Sequence, residues 1–292
     1  MNLRPSERKK AKIKMALQGS AGSGKTYSAL LLAKGLNNDD FSKVVVIDTE
    51  NGSADLYAHL GNYNVLTLSP PFTPESYIQA IEVCEKAQME VIIIDSISHA
   101  WDELLDFHAN LAGNSFTNWS KVTPRQKAFT DKILQSNAHV IATMRTKQDY
   151  VLNQKDGKFI PEKVGLKAVQ RDGLDYEFTL VFDIDIKHFV VSSKDRTGLF
   201  MGKPEFIISV GTGKVILDWC NSGAIENSTE LLEKDIQLEI QKCNSITELG
   251  TLYRKYPQFQ QVLKTQFESK RTLLAQLTNL NNFSQNGNSK HH

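Results

Sequence analysis

The sequence predicts a doubly wound α/β fold, a mainly parallel sheet with helices on both faces, followed by a small helical appendage. Three observations predict it. Short apolar runs alternate with segments of helical period from residue 12 to about 143. Two of the runs, residues 43–48 (Lys-Val-Val-Val-Ile-Asp) and 91–95 (Val-Ile-Ile-Ile-Asp), are too continuously apolar to have a wet face. A glycine-rich segment joins the first run to the first helical stretch. The 292 residues, 40% of them hydrophobic, are enough to bury such a core.

Taken in order, residues 1–10 form a basic arm. Arg4, Arg8, Lys9, Lys10, Lys12 and Lys14 face only Glu7 up to residue 14, which reads as a solvated leader, with a phosphate-contacting arm as the alternative. Residues 12–18 are expected as a strand, 25–36 as a helix with an apolar side (Tyr27, Leu30, Leu31, Leu32), and 43–48 as a buried strand. A helix opened by Pro74 and Glu75 follows over 74–88, then the strand 91–95, helices near 100–111 and about 124–136, and the strand 139–143. The Lys-, Gln-, Asp- and Gly-rich stretch 147–170 reads as a long loop or hairpin, which in a compact domain points to function or mobility. Strands resume at 177–186, 188–193 and 206–210 and close near 214–219, completing a core unit over 11–222. Residues 223–280 switch to helical spacing, with Asn227/Glu230 and Ser245/Glu248 as capping pairs and Pro257 between two helices. The Asn-, Gln- and Ser-rich end, 281–292, is expected to be disordered.

Charge bounds the function. With 34 Lys+Arg against 33 Asp+Glu the formal net charge is +1, which excludes a globally basic nucleic-acid coat and an acidic disordered chain. Any polyanion must be met by a local patch. The run Val91–Ile94 is far too short to span a bilayer and no apolar signal segment opens the sequence, so no membrane partner and a cytoplasmic location are expected. Cys84, Cys220 and Cys243 show neither C-x-x-C pairing nor metal-ligand spacing, as inert thiols in a reducing compartment would.

The chemistry starts at Gly19-Ser20-Ala21-Gly22-Ser23-Gly24-Lys25-Thr26, a full G-x-x-x-x-G-K-[ST] match between an apolar strand and a helix. Glycines let successive backbone N–H groups converge on phosphates, and the helix N-terminus beginning at Lys25, Thr26 and Tyr27 adds partial positive charge. Lys25 is expected to reach the β- and γ-phosphates of ATP, and the Thr26 hydroxyl to bind Mg2+. Asp95 ends the strand expected to lie beside the phosphate loop, where its carboxylate reaches the metal shell; a strand-end helix cap is the plainer reading. Hydrolysis also needs a group that orients or deprotonates water. Ser96, not Glu, follows Asp95, whereas AAA+ ATPases typically place a Glu there and RecA-like ATPases carry it at the end of a neighbouring strand. Glu50, after Val44–Thr49, is the residue so placed.

Gly19–Thr26, the segment Val44–Glu50 continuing through Asn51-Gly52-Ser53-Ala54-Asp55-Leu56-Tyr57, and Val91–Ser96 together resemble the core of RecA-family recombinases. The chain is similar in particular to the phage-encoded RecA-like P-loop ATPases of the Sak type, single-strand-annealing recombination proteins, over roughly residues 11–219. The resemblance implies an ATP- and Mg2+-dependent ATPase acting on single-stranded DNA in phage recombination or replication, in the host cytoplasm, with a single-strand-binding protein as partner. RecA proteins end the strand after the Asp strand in an Asn-Gln pair that senses γ-phosphate; here Thr143-Met144-Arg145 stands instead, so Arg145 or Gln148 serves, or Arg145 is a surface cation. Lys194-x-Arg196 followed by Gly198 resembles the hairpin that DnaB-type and other RecA-like ATPases insert into a neighbour's site, which implies a homo-oligomer, ring or filament; a β-turn with solvated cations is the alternative.

In RecA-like folds the segments after the strands ending at Asp95 and Thr143 face the DNA. Here those are 112–127 (Asn114, Asn118, Trp119, Lys121, Arg125, Lys127) and 146–171 (Lys147, Tyr150, Lys155, Lys158, Phe159, Lys163, Lys167, Arg171), both mixing basic and aromatic residues. A ring helicase or its loader, a small-molecule kinase and a non-enzymatic ATP-gated scaffold are the competing functions. Against the helicase stands the lack of a primase or recognisable helicase-linker domain and against the kinase that of an arginine-rich lid, while the scaffold would bind ATP without DNA-stimulated turnover.

Overall fold

The computed structural model describes residues 10–155, 158–222 and 228–286, and side chains throughout except within 148–166, 228–235 (save Glu233) and 277–286. The arm before Lys10, the expected cap at Asn227 and the end of the tail fall outside the described residues, as do the side chains of Gln148, Tyr150, Lys155, Lys158, Phe159 and Lys163.

The chain divides into two units, the first being Lys10–Gly223. Its elements are β1 (Lys14–Gly19), α1 (Lys25–Leu36), β2 (Val44–Asp48), a 3-10 segment (Ser53–Leu60), β3 (Asn64–Thr67), α2 (Pro74–Lys86), β4 (Val91–Asp95), α3 (Ser98–Ala109), α4 (Ser115–Gln135), β5 (His139–Lys155), β6 (Lys158–Ala168), a 3-10 turn (Leu174–Tyr176), β7 (Leu180–Ile184), β8 (Val190–Asp195) and α5 (Val210–Asn221). The sheet order is β3-β2-β4-β5-β1-β7-β8. All neighbours from β3 to β7 run parallel, β8 is antiparallel to β7, and β6 folds back antiparallel on the outer part of β5.

The continuous apolar runs have the predicted consequence. Successive residues of β2 and β4 point into opposite cores: Val44, Val46, Val91 and Ile93 into one, Val45, Ile47, Ile92 and Ile94 into the other. The first core is covered by α1 and α5 (Leu30, Leu36, Ile216), the second by α2, α3 and α4 (Tyr77, Ile81, Ala100, Phe129, Ile133). Burying one large aliphatic side chain contributes about 1.5–3 kcal/mol, so each such strand is a major stabilising element.

Several expectations are corrected. Asp95 does not end a strand adjacent to the phosphate-loop strand: β5 lies between β1 and β4, because the chain crosses from β1 past two positions to β2 and fills the gap later. The helix expected from 124 starts at Ser115, capped by Asn114, whose side chain accepts from Phe116 N–H at 2.9 Å, and it continues through Pro124. Strand β3 was not expected. The strand placed at 206–210 shrinks to a single bridge between Phe206 and Val190, and 214–219 is the middle of a helix. Its apolar run Val215-Ile216-Leu217 reads as β, but packing decides: a Cβ on Gly213 would stand 2.3 Å from Leu32 O, and one on Gly35 2.2 Å from Val210 O, so paired glycines let α1 and α5 meet backbone to backbone.

In the second unit, α6 (Ser228–Lys242), α7 (Ile246–Lys255) and α8 (Lys264–Asn286) enclose a core of their own that includes Ile236, Ile240, Leu249, Phe259, Leu263 and Phe267. Ser245 Oγ accepts from Glu248 N–H at 3.2 Å, the capping pair read in the sequence, and Pro257 opens the 3-10 turn before α8. Among the described residues no helix is long and apolar enough to cross a membrane, no His/Cys/Asp/Glu cluster could hold a metal, and the three cysteines are buried thiols outside any disulfide.

Candidate nucleotide site

Parallel pairing brings the carboxyl ends of β1, β5, β4 and β2 to one rim: Gly19 pairs with Arg145, Leu17 with Thr143, and Asp48 with Asp95. That rim, where connections leave in opposite directions, is where open α/β sheets bind ligands. A cavity of about 910 Å³ opens there, lined by Gly22, Lys25, Thr26, Glu50, Asp95 and Arg145 among others.

The phosphate loop has the shape its glycines allow. Gly22 (φ 79°) and Gly24 (φ 85°) are left-handed, and a Cβ on Gly24 would come 3.0 Å from His188 Nδ1. Ser23 Oγ is buried without a hydrogen-bond partner. Lys25 Nζ donates to Gly19 O and Ser20 O, both at 2.9 Å, and so lies over the loop that would receive phosphate. Burial pulls its ammonium below the usual lysine value, against the Asp95 and Glu50 charges.

The metal pair is preassembled. Thr26 Oγ1 donates to Asp95 Oδ2 at 2.6 Å, and Thr143 donates to Asp95 Oδ1. Asp95 is 2% exposed, and burial raises its carboxyl against the hydroxyls of Thr143 and Thr26. A hydroxyl and a carboxylate converging from the phosphate-loop helix and the β4 terminus are hard oxygen donors, which would suit a divalent cation. Such a cation neutralises charge on the phosphoryl oxygens.

Glu50, two residues past the end of β2, turns into the same cavity. Its backbone N–H donates to Asp48 Oδ1 at 2.6 Å, which fixes the turn. Ser96 Oγ and Arg145 Nε both donate to Glu50 Oε1 at 3.0 Å, and Arg145 Nη2 pairs with Oε2. Burial pushes the carboxyl up, but the Arg145 guanidinium, with Ser96 and His99, outweighs it and holds Glu50 below the usual carboxylate range. His99 Nε2 lies 4.0 Å from Oε1, and its Nδ1 meets Thr49 Oγ1 at 2.8 Å. Burial and the Arg145 charge lower the imidazole, favouring its neutral form.

The structure thus brings together Gly19–Thr26, Glu50, Asp95 and Arg145, with Tyr27 tilted against Tyr57 at 5.7 Å between ring centroids on the cavity wall. It does not bring Lys194 or Arg196 there: Lys194 Nζ donates to Asp175 O and Tyr176 O, and Arg196 Nη2 to Tyr176 O at 2.9 Å. Sequence reasoning missed Ser96 as a partner of Glu50, Thr143 as a partner of Asp95, and His99. Thr143 had a signal in its strand-end position; a lone His at the second position of a helix had none.

A family model described as an AAA domain matches residues 11–210. The chain belongs to the AAA domain family. This AAA domain is a P-loop ATPase unit, which binds a nucleotide with a divalent metal and hydrolyses ATP. No curated protein matches the chain. Within the AAA domain Lys25 and the loop N–H groups border the place phosphate would take, Thr26 and Asp95 would hold a cation there, and Glu50 faces the same cavity.

Proposed function

We propose that this chain is a RecA-like, Mg2+-dependent ATPase of the phage-encoded Sak type that acts on single-stranded DNA in recombination or replication, annealing or exchanging strands in the host cytoplasm. The observation that carries the reading is the place of Glu50: its carboxylate enters the nucleotide cavity from the end of β2, the strand next to β4, while Ser96 occupies the position after Asp95. That is the RecA-like division of labour. Single-stranded DNA as the substrate is supported by the helices that follow β4 and by β5, β6 and the residues just after β6, where tryptophans and cations share a surface. A homo-oligomer, ring or filament, is supported by Lys194 and Arg196, whose heads lie outside the cavity of their own subunit. A single-strand-binding protein is the expected partner of such an activity.

The test is the ATPase rate alone, with single-stranded DNA, with duplex DNA and with candidate phosphate acceptors. Stimulation by single strands supports the reading. A rate indifferent to DNA, or phosphate delivered to a small acceptor, contradicts it.

A further inference from the structure

On the side of Arg145 away from the phosphate loop, α3, α4, β5 and β6 enclose a second groove of about 790 Å³. Trp101 and Trp119 stack across it, centroids 6.1 Å apart and planes 22° off parallel, and Trp119 also stacks on His108 at 4.3 Å and 25°. Both tryptophans are only half-buried and line the groove together with Lys147, Lys167 and Arg171; Asp102 and Asp172 are the acids there, Asp172 paired with Lys167 at 2.7 Å. Phe116, 86% exposed, sits about one helical turn before Trp119. A stack serving only the core would be buried. This one is left open beside three cations, in a chain of near-zero net charge.

We infer that this groove is a binding site for single-stranded DNA, with bases stacking on the Trp101/Trp119 pair and the backbone phosphates running along Lys147, Lys167 and Arg171. The inference rests on the single-strand reading above and names its site. Flat apolar faces flanked by point cations are complementary to unpaired bases on a phosphate chain, and stacking is available only when bases are not already paired. It also moves the contact surface. In 112–127, Arg125 is committed to Glu75 (2.8 and 2.7 Å) and Lys127 to Asp131, while Asn114 and Asn118 hold backbone groups, so Phe116, Trp119 and Lys121 are what the segment offers a ligand. The groove is wired to the nucleotide: along β5, Arg145 pairs with Glu50, Thr146 lines the nucleotide cavity and Lys147 lines the groove, and on α3 His99 stands at Glu50 while Trp101 and Asp102 face the groove.

The chain has three tryptophans, so Trp219→Phe leaves Trp101 and Trp119 as the only indole reporters. In that background oligothymidine should quench the fluorescence, and duplex of the same length should bind more weakly with little quenching. Trp119→Ala should weaken oligothymidine binding by on the order of 10-fold or more with the salt slope unchanged, and Trp119→Phe should restore most of it. Lys147→Ala should lower the slope of log affinity against log salt by about 0.7. Nucleotide binding measured on each variant reports an intact fold, and if Trp119→Ala fails to fold, Trp119→Phe and Lys147→Ala carry the test. Oligothymidine binding with no quenching and no change in the variants would overturn the groove and leave the single-strand reading standing. Equal quenching by duplex would overturn the stacking. No binding of oligothymidine by the wild-type chain would overturn both.

Discussion

Arg145 grips both carboxylate oxygens of Glu50, one through Nε at 3.0 Å and the other through Nη2. The pair is not sealed in, with the Arg145 side chain 44% exposed and Glu50 23%. Exposed pairs are worth little, and Arg145 also lines the nucleotide cavity. The arrangement keeps the Glu50 carboxylate ionised and engaged with Arg145.

Removing the cation should therefore change the pH profile. In the native chain Arg145 holds the Glu50 carboxyl low, so the base stays ionised into mild acid, and the pair's contribution to stability is lost only as pH falls through that depressed value. In Arg145→Ala burial is opposed only by the weaker effects of Ser96 and His99, and the acid limb of kcat/KM should move to higher pH with a reduced plateau. A pH–rate series on both proteins reads this directly; superimposable acid limbs would show that Arg145 does not govern Glu50.

The cations of β8 are predicted to act across a subunit boundary. Lys25→Ala should lose ATP binding and Arg196→Ala should bind ATP without turnover, because an arginine supplied by a neighbour can be worth about 10³–10⁵ in rate. Mixed oligomers then contain interfaces joining an intact phosphate loop to an intact Arg196, and activity should partly return. No recovery in demonstrably mixed assemblies, or full activity of Arg196→Ala alone, would leave Lys194 and Arg196 tied to Tyr176 as surface groups.

The helices after Ser222 enclose their own apolar centre around Leu249, Leu263 and Phe267, while both faces of the sheet are already covered by α1–α5. A chain ending at Ser222 should remain soluble, bind nucleotide and keep its basal ATPase, changing only in assembly or partner binding. Sedimentation and nucleotide titration check this; an aggregating truncation would mean that the helices cover an apolar surface instead.

The sequence made the parts of the site visible but not their arrangement. Gly19–Thr26 was legible because phosphate binding demands glycines and a Lys-Thr pair at fixed spacing on a helix start, and β2 and β4 because double burial leaves no polar alternation. The strand order was not, since nothing local in Val91–Asp95 says that β5 lies between it and β1. Nor was α5, where the contact of Gly213 with the α1 backbone outweighs the β preference of Val215 and Ile216. Arg145 was found through its strand-end position, but its partner Glu50 lies far away in sequence, and such pairs form only once the sheet exists.

Glu50 as the water-activating base is the central claim, and Glu50→Gln tests it most directly. The substitution keeps the size but removes the basic carboxylate and one of the two oxygens that accept from Arg145, so ATP affinity should stay near wild type while kcat falls by about 10²–10⁴. Near wild-type turnover in Glu50→Gln, with binding intact, would contradict the account and move the base elsewhere, to Asp102 or Glu103 on α3.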